Sequence, residues 1–204
     1  SYDRYVGDKL KLFGSSSATF VNGMQPECIR RTDDLASRRL VTDVGELVDL
    51  DGLPLLGLHN RRNMNLAVHA AAYVLGEVDP TFRRSLESFR PLEHRLHTVG
   101  EYRGHLVVDD VLATAPEAVL NALEVFADRS VVLLVGGYDR EIDYRAFGAE
   151  LTTRPRVRVV AMGPAGRRIA DEMERAGAVD PCVVDTLPDA IDAVDRLLDV
   201  DGDE

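Results

Sequence analysis

Two adjacent carboxylates, Asp109 and Asp110, end the apolar run Leu106-Val107-Val108, and Thr114-Ala115-Pro116-Glu117 follows at once. Ionised carboxylates only accept hydrogen bonds, and at the carboxyl end of a buried strand they stand where ligands bind in open α/β sheets. Thr114-x-x-Glu117 reads as a capping box, with Pro116 in the first helical turn where its missing N–H costs nothing. A second concentration of chemistry, Gly136-Gly137-Tyr138-Asp139-Arg140, closes the apolar run 131–135. On spacing alone, a ligand site and a solvated, charge-rich connection both fit these segments. Met162-Gly163-Pro164-Ala165-Gly166 is a lone glycine turn; a dinucleotide fingerprint needs more, so turn chemistry is expected there. The last six residues, DVDGDE, lack the length of a calcium loop and read as a solvated tail.

The elements that must position these groups follow from hydrophobic periodicity. A helix is expected over 1–13, a short strand over 18–22, and two apolar patches within 38–58, RRLVTDV and GLPLLGL, read as strands. Helices follow at 60–75, closed by Gly76 as a C-cap, and at about 80–89, with Pro91 as a hinge. Beyond Leu96 the order becomes strand–helix repeated. Strands at 106–109, 131–135, 156–161 and 182–184 each precede a helix, at 115–127, 143–151, 165–176 and 187–198. Near-continuous Val/Leu strands alternating with helices predict an α/β fold with a mostly parallel sheet covered on both faces.

Composition narrows the function classes. The 204 residues carry 35 Asp+Glu against 24 Lys+Arg, a net charge of −11 that argues against nucleic acid as the main partner. No apolar run of about 18 residues occurs and no signal peptide is visible, so no membrane partner is expected. Cys28 and Cys182 show no metal-ligand spacing and fit a reducing cytoplasm. The five histidines, at 59, 69, 94, 97 and 105, form no zinc signature.

Four motifs in order, GLHNRRN (57–63), EHR (93–95), VVDDVLATAP (107–116) and LLVGGYDREIDY (133–144), resemble the Mur ligase family, and the opening SYDRYVGDKLKLF resembles its Tyr-x-x-x-Lys helix. The nearest branch adds glutamate to UDP-N-acetylmuramoyl-L-alanine. The resemblance covers nearly the whole chain. It implies that residues 1–90 are the last part of an α/β central ATPase domain. Residues 91–204 would then be a Rossmann-like glutamate ligase domain with helices on both sheet faces. No Gly-x-x-x-x-Gly-Lys-Ser/Thr occurs, so the chain is expected to be truncated at both ends and catalytically incomplete by itself. In the complete enzyme, ATP would convert the UDP-sugar's carboxylate into an acyl phosphate that the amine of glutamate attacks.

Matched residue by residue, the resemblance gives Lys9 the role of a carbamylated lysine serving a magnesium ion, against an exposed helix lysine. Asn60 and Asn63 match a pair near adenine; His59-Asn60 as a helix cap is the alternative. Arg95 matches an arginine set against the base, with a surface ion pair as its alternative. Asp110 matches the acid that accepts from ribose hydroxyls, Asp109 being its structural neighbour. Thr114 and Arg140 match positions holding the incoming glutamate, Arg140 facing the side-chain carboxylate. Two departures stand out. Asp110-Val111-Leu112-Ala113-Thr114-Ala115 replaces Asp-Ser-Lys-Ala-Thr-Asn, and Arg140-Glu141 replaces Lys-Gly. These resemble a variant branch that adds L-glutamate and needs a separate epimerase, so both enantiomers stand as expectations. A non-catalytic module binding nucleotide or amino acid, and a relative of folylpolyglutamate synthase, are the other classes.

Overall fold

The computed structural model describes residues 2–44, 46–76, 78, 80–178 and 181–201. Its contacts divide the chain into two compact units, residues 1–109 and 110–204. The first unit begins with α1 (Tyr2–Leu10), β1 (Thr19–Asn22), α2 (Pro26–Arg31) and β2 (Arg38–Val41). α1 is shorter than the expected 1–13, because Leu12 and Phe13 donate to Lys9 and Leu10 (3.2 and 3.0 Å) in tighter i→i−3 turns before Gly14. α2 is too brief for an apolar repeat to announce it; Pro26 in its first turn is the local signal. β1 and β2 pair in parallel, Thr19 opposite Arg38 through Asn22 opposite Val41.

α3 (Leu58–Leu75) starts two residues before the expected Asn60 and ends at Gly76. Gly76 adopts φ +89° and donates to the Ala72 carbonyl at 2.9 Å, the left-handed cap that its position predicts. α4 (Pro80–Glu87) follows. The expected second strand, GLPLLGL, is irregular chain: Pro54 removes a ladder donor, and Leu55 bonds back to Leu53 at 2.7 Å. Of its four leucines Leu53 is buried and Leu55 half-buried, while Leu56 and Leu58 are exposed. Leu50 and Leu53 pack with Val68 of α3, and Met64, Phe82 and Leu86 surround them.

The expected buried strand over 106–109 is corrected by the structure. β3 (His97–Tyr102) and β4 (His105–Asp109) form an antiparallel hairpin, Tyr102 opposite His105, across the two-residue turn Arg103-Gly104. Both turn residues have positive φ, +51° and +80°, which matches the twist of a tight hairpin. Leu106 and Val107 are exposed, so this Val/Leu run lies outside the parallel sheet.

In the second unit the order is α5 (Pro116–Val125), β5 (Val131–Gly136), α6 (Arg145–Thr152), β6 (Val157–Met162), α7 (Gly163–Arg175), β7 (Cys182–Val184) and α8 (Leu187–Asp201). Among the described residues the parallel sheet of this unit therefore has three strands, β5-β6-β7, rather than four. Side chains alternate across it. Val131, Leu133, Val135, Val159 and Ala161 face a core with α5, α6 and α7, built on Phe147, Leu151, Ile169 and Met173. Val132 and Val160 face the other way, against Ala190, Ala193 and Leu197 of α8. Helices thus cover both faces, as the continuous apolar strands require. Among the described residues no helix is long and apolar enough to cross a membrane. The tail 199–204 extends beyond the described residues after Asp201.

Candidate functional site

The carboxyl end of β5 opens into a cleft of about 180 Å³, and it lies wholly within the second unit. Its floor is apolar: Val119, Val135, Ile142, Tyr144, Phe147 and Ile169. Thr114 and Arg140, 26 residues apart by number, meet on its lining. Both side chains are exposed, and among the described residues Arg140 has no ion-pair partner. A guanidinium offers a planar, permanently charged fork matched to a carboxylate. One cation, the Thr114 hydroxyl, two tyrosines (Tyr138 and Tyr144) and an apolar floor suit a small ligand with a carboxylate on a short aliphatic chain. Burial raises the Tyr144 phenol above its ordinary range, and the Asp139 charge adds to this, so Tyr144 presents a neutral hydroxyl.

Chain geometry explains how this cleft forms. Thr114 does not cap α5, contrary to the capping-box expectation. Pro116 occupies the first turn, and a residue before proline is forced into extended backbone. Ala115, at φ −121° and ψ 141°, is therefore the N-cap, with no side-chain bond to the helix. Thr114 stands one residue too early to cap and is left on the cleft wall. At the carboxyl end of β5 itself, Gly136 lets α7 approach: a Cβ there would lie 2.0 Å from the Met162 carbonyl oxygen and 3.0 Å from the Gly166 backbone. Gly137 donates to the same Met162 carbonyl at 2.8 Å and accepts from Ala165 at 3.1 Å. The Met162–Gly166 segment is therefore more than a turn. Its glycine spacing signals close packing of helix against strand, and Gly163 and Gly166 are part of α7 itself.

The other sequence-predicted residues stand on separate elements. Lys9 lies exposed in the last turn of α1, 5.6 Å from the centroid of the Tyr5 ring. Asn60 and Asn63 share a face of α3, three residues apart. The Asn60 amide donates to the Leu56 carbonyl at 2.8 Å. The helix-cap alternative is corrected: Gly57 holds the N-cap position, and His59 and Asn60 are already helical. Arg95 is exposed, between His94 (φ +64°) and Leu96 (φ +45°), two non-glycine residues in the left-handed region. Leu96 is buried, and His94 Nδ1 meets Asp109 Oδ2 at 2.6 Å, so both neighbours of Arg95 are anchored. Asp109 thus has the structural part expected of it, and Asp110, partly buried, begins the second unit.

The His94–Asp109 contact has a measurable signature. The hydrogen bond to Asp109, then its charge, raises the His94 pKa above the ordinary 6.5. Its stabilisation is complete below that unfolded value and disappears as pH rises through the higher folded value. Asp109→Asn is expected to shift the His94 titration back down, followed by NMR of its ring protons; an unchanged midpoint would contradict the pairing.

The second unit is thus an α/β domain whose parallel sheet carries a cleft at the carboxyl end of β5. The chain belongs to the Mur ligase family: the model for "Mur ligase, glutamate ligase domain" matches residues 94–203. It is 37% identical over 182 residues to the UDP-N-acetylmuramoyl-L-alanine--L-glutamate ligase of Xanthomonas euvesicatoria pv. vesicatoria, covering 81% of this chain and 39% of that protein. To the UDP-N-acetylmuramoylalanine--D-glutamate ligase of Rubrobacter xylanophilus it is 30% identical over 214 aligned positions, covering 97% of this chain and 48% of that protein. The chain thus spans less than half the length of these two curated relatives. A crystal structure of MurF from Acinetobacter baumannii shares the fold, with TM-score 0.67 and 20% identity over 89% of this chain and 45% of that one.

Proposed function

We propose that this chain is part of an ATP-dependent ligase that adds glutamate to UDP-MurNAc-L-alanine in the cytoplasm, supplying peptidoglycan precursors. Residues 1–90 belong to its central ATPase domain and 91–204 to its glutamate ligase domain. The observation that carries this reading is the meeting of Thr114 and Arg140 over an apolar floor at the end of β5. Glutamate fits it: the guanidinium takes the side-chain carboxylate, the methylenes lie on Val135 and Ile142, and Thr114 offers a hydroxyl beside them. The residues act by holding the amino acid while its amine attacks the activated carboxylate, and such positioning is a major part of catalysis.

ATP is assigned to the amides of half-buried Asn60 and exposed Asn63, to Arg95, and to the Asp110 carboxylate as acceptor for ribose hydroxyls. Magnesium is a separate matter, since it prefers an octahedron of oxygens. Among the described residues no group of three His, Cys, Asp or Glu side chains could hold a metal ion. These residues therefore do not fit a metal centre on their own, and the contribution proposed for this chain is limited to Lys9, exposed and open to carbamylation.

The enantiomer proposed is L-glutamate. Support comes from the run Val111-Leu112-Ala113 in place of Ser-Lys-Ala and from the greater identity to proteins named L-glutamate ligases, 37% against 30%. The test is phosphate release from ATP by the full-length protein with UDP-MurNAc-L-alanine and either isomer. Release with L-glutamate alone is expected. Release with D-glutamate alone would overturn the enantiomer, and release with neither would overturn the ligase reading.

A further inference from the structure

Arg168 lies on α7 and is not among the residues lining the cleft, yet it grips the segment that carries Arg140. Its Nη1 donates to Asp139 Oδ1 at 2.7 Å, and its Nη2 donates to the Ile142 carbonyl at 2.8 Å. The guanidinium carbon stands 5.2 Å from the centroid of the Tyr144 ring. Asp139 Oδ1 also accepts the backbone N–H of Glu141, itself at φ +57°, at 2.9 Å. Residues 139–144 are therefore tied at three points by one side chain, and Arg140 lies between two of them.

The backbone does not provide this restraint. Among the described residues, no backbone–backbone hydrogen bond involves 138–143. A planar fork can reach a carboxylate and a carbonyl at once, whereas an ammonium is a point charge on a flexible stem. Arg168 can reach because α7 begins so near the sheet: a Cβ on Gly166 would stand 2.8 Å from the Ala161 carbonyl carbon.

We propose that Arg168 is a positioning residue for the amino-acid substrate, acting through the Asp139–Ile142 segment to aim Arg140 into the cleft. This rests on the glutamate reading above. A residue that only stabilises the fold would lower the melting temperature and leave the Michaelis constants alone. A residue that aims Arg140 changes the KM for glutamate selectively.

The experiment uses the full-length ligase, with KM measured separately for glutamate, ATP and UDP-MurNAc-L-alanine. Arg168→Ala is expected to raise the KM for glutamate by about tenfold, with the other two within about twofold. Arg168→Lys keeps the charge and reaches one acceptor, so it recovers part of the loss; it also supplies the reading if the alanine variant does not fold. Asp139→Ala removes the shared Arg168 contact together with the Glu141 bond, so the double variant with Arg168→Ala is expected to lose less than the product of the two single losses. An unchanged glutamate KM in both Arg168 variants, or losses that multiply in the double variant, would overturn the proposal. If the wild type itself shows no glutamate-dependent phosphate release, the glutamate reading fails first and takes this inference with it.

Discussion

Replacing Arg140 with alanine is expected to raise the KM for glutamate on the order of 100-fold in the full-length ligase, with the KM for ATP nearly unchanged. Among the described residues Arg140 is the only cation lining the cleft, and the floor beneath it is apolar. A charge-assisted hydrogen bond contributes about 1.5–3 kcal/mol, and a fork that makes two of them lies at the upper end. Arg140→Lys keeps the charge and loses the second bond, so roughly a tenfold rise is expected. The order of effects, Ala well above Lys, is the informative feature. An alanine variant within about twofold of wild type would place the carboxylate elsewhere.

Gly136→Ala is expected to cost at least about 4 kcal/mol of stability, among the largest effects a single substitution produces. Two penalties coincide at this position. The backbone is at φ +135°, which disfavours any Cβ, and that Cβ would lie 2.0 Å from the Met162 carbonyl oxygen. Neither neighbour yields easily, because the Met162 carbonyl also accepts from Gly137. Gly137→Ala separates the two causes: φ is +97°, but nothing lies within 4 Å of the added carbon. Strain alone costs about 1–3 kcal/mol. For chains of this size 1 kcal/mol shifts melting by about 2–4 °C, so Gly136→Ala should melt on the order of 10 °C lower and Gly137→Ala only a few. Equal shifts would show that close packing of strand and helix is not what Gly136 permits.

The parallel sheet is legible because Val131–Val135 and Val159–Ala161 are apolar on both faces, and only a doubly covered strand needs that. The same cue misled at Leu106–Val108, since an apolar run does not say which partner it pairs with. There the discriminating signal was Arg103-Gly104, a two-residue turn between short alternating segments. The sequence makes Thr114 a cap, but Pro116 moves the helix start to Ala115 and leaves Thr114 on the cleft lining. Arg168 could not be found from sequence. Its partners lie 26 to 29 residues away, and only the close approach of α7 to the sheet brings them together.

Val135, Tyr144, Phe147 and Ile169 line the cleft and also belong to the packed layer beneath it. Ligand choice and fold maintenance therefore share one set of side chains on the floor, while the rim residues Thr114, Tyr138 and Arg140 carry little structural duty. On the glutamate reading proposed above, drift or engineering toward a different amino acid has freedom at the rim and almost none below it. A longer or bulkier substrate would have to be admitted by reshaping the edge, because deepening the floor would hollow out the core.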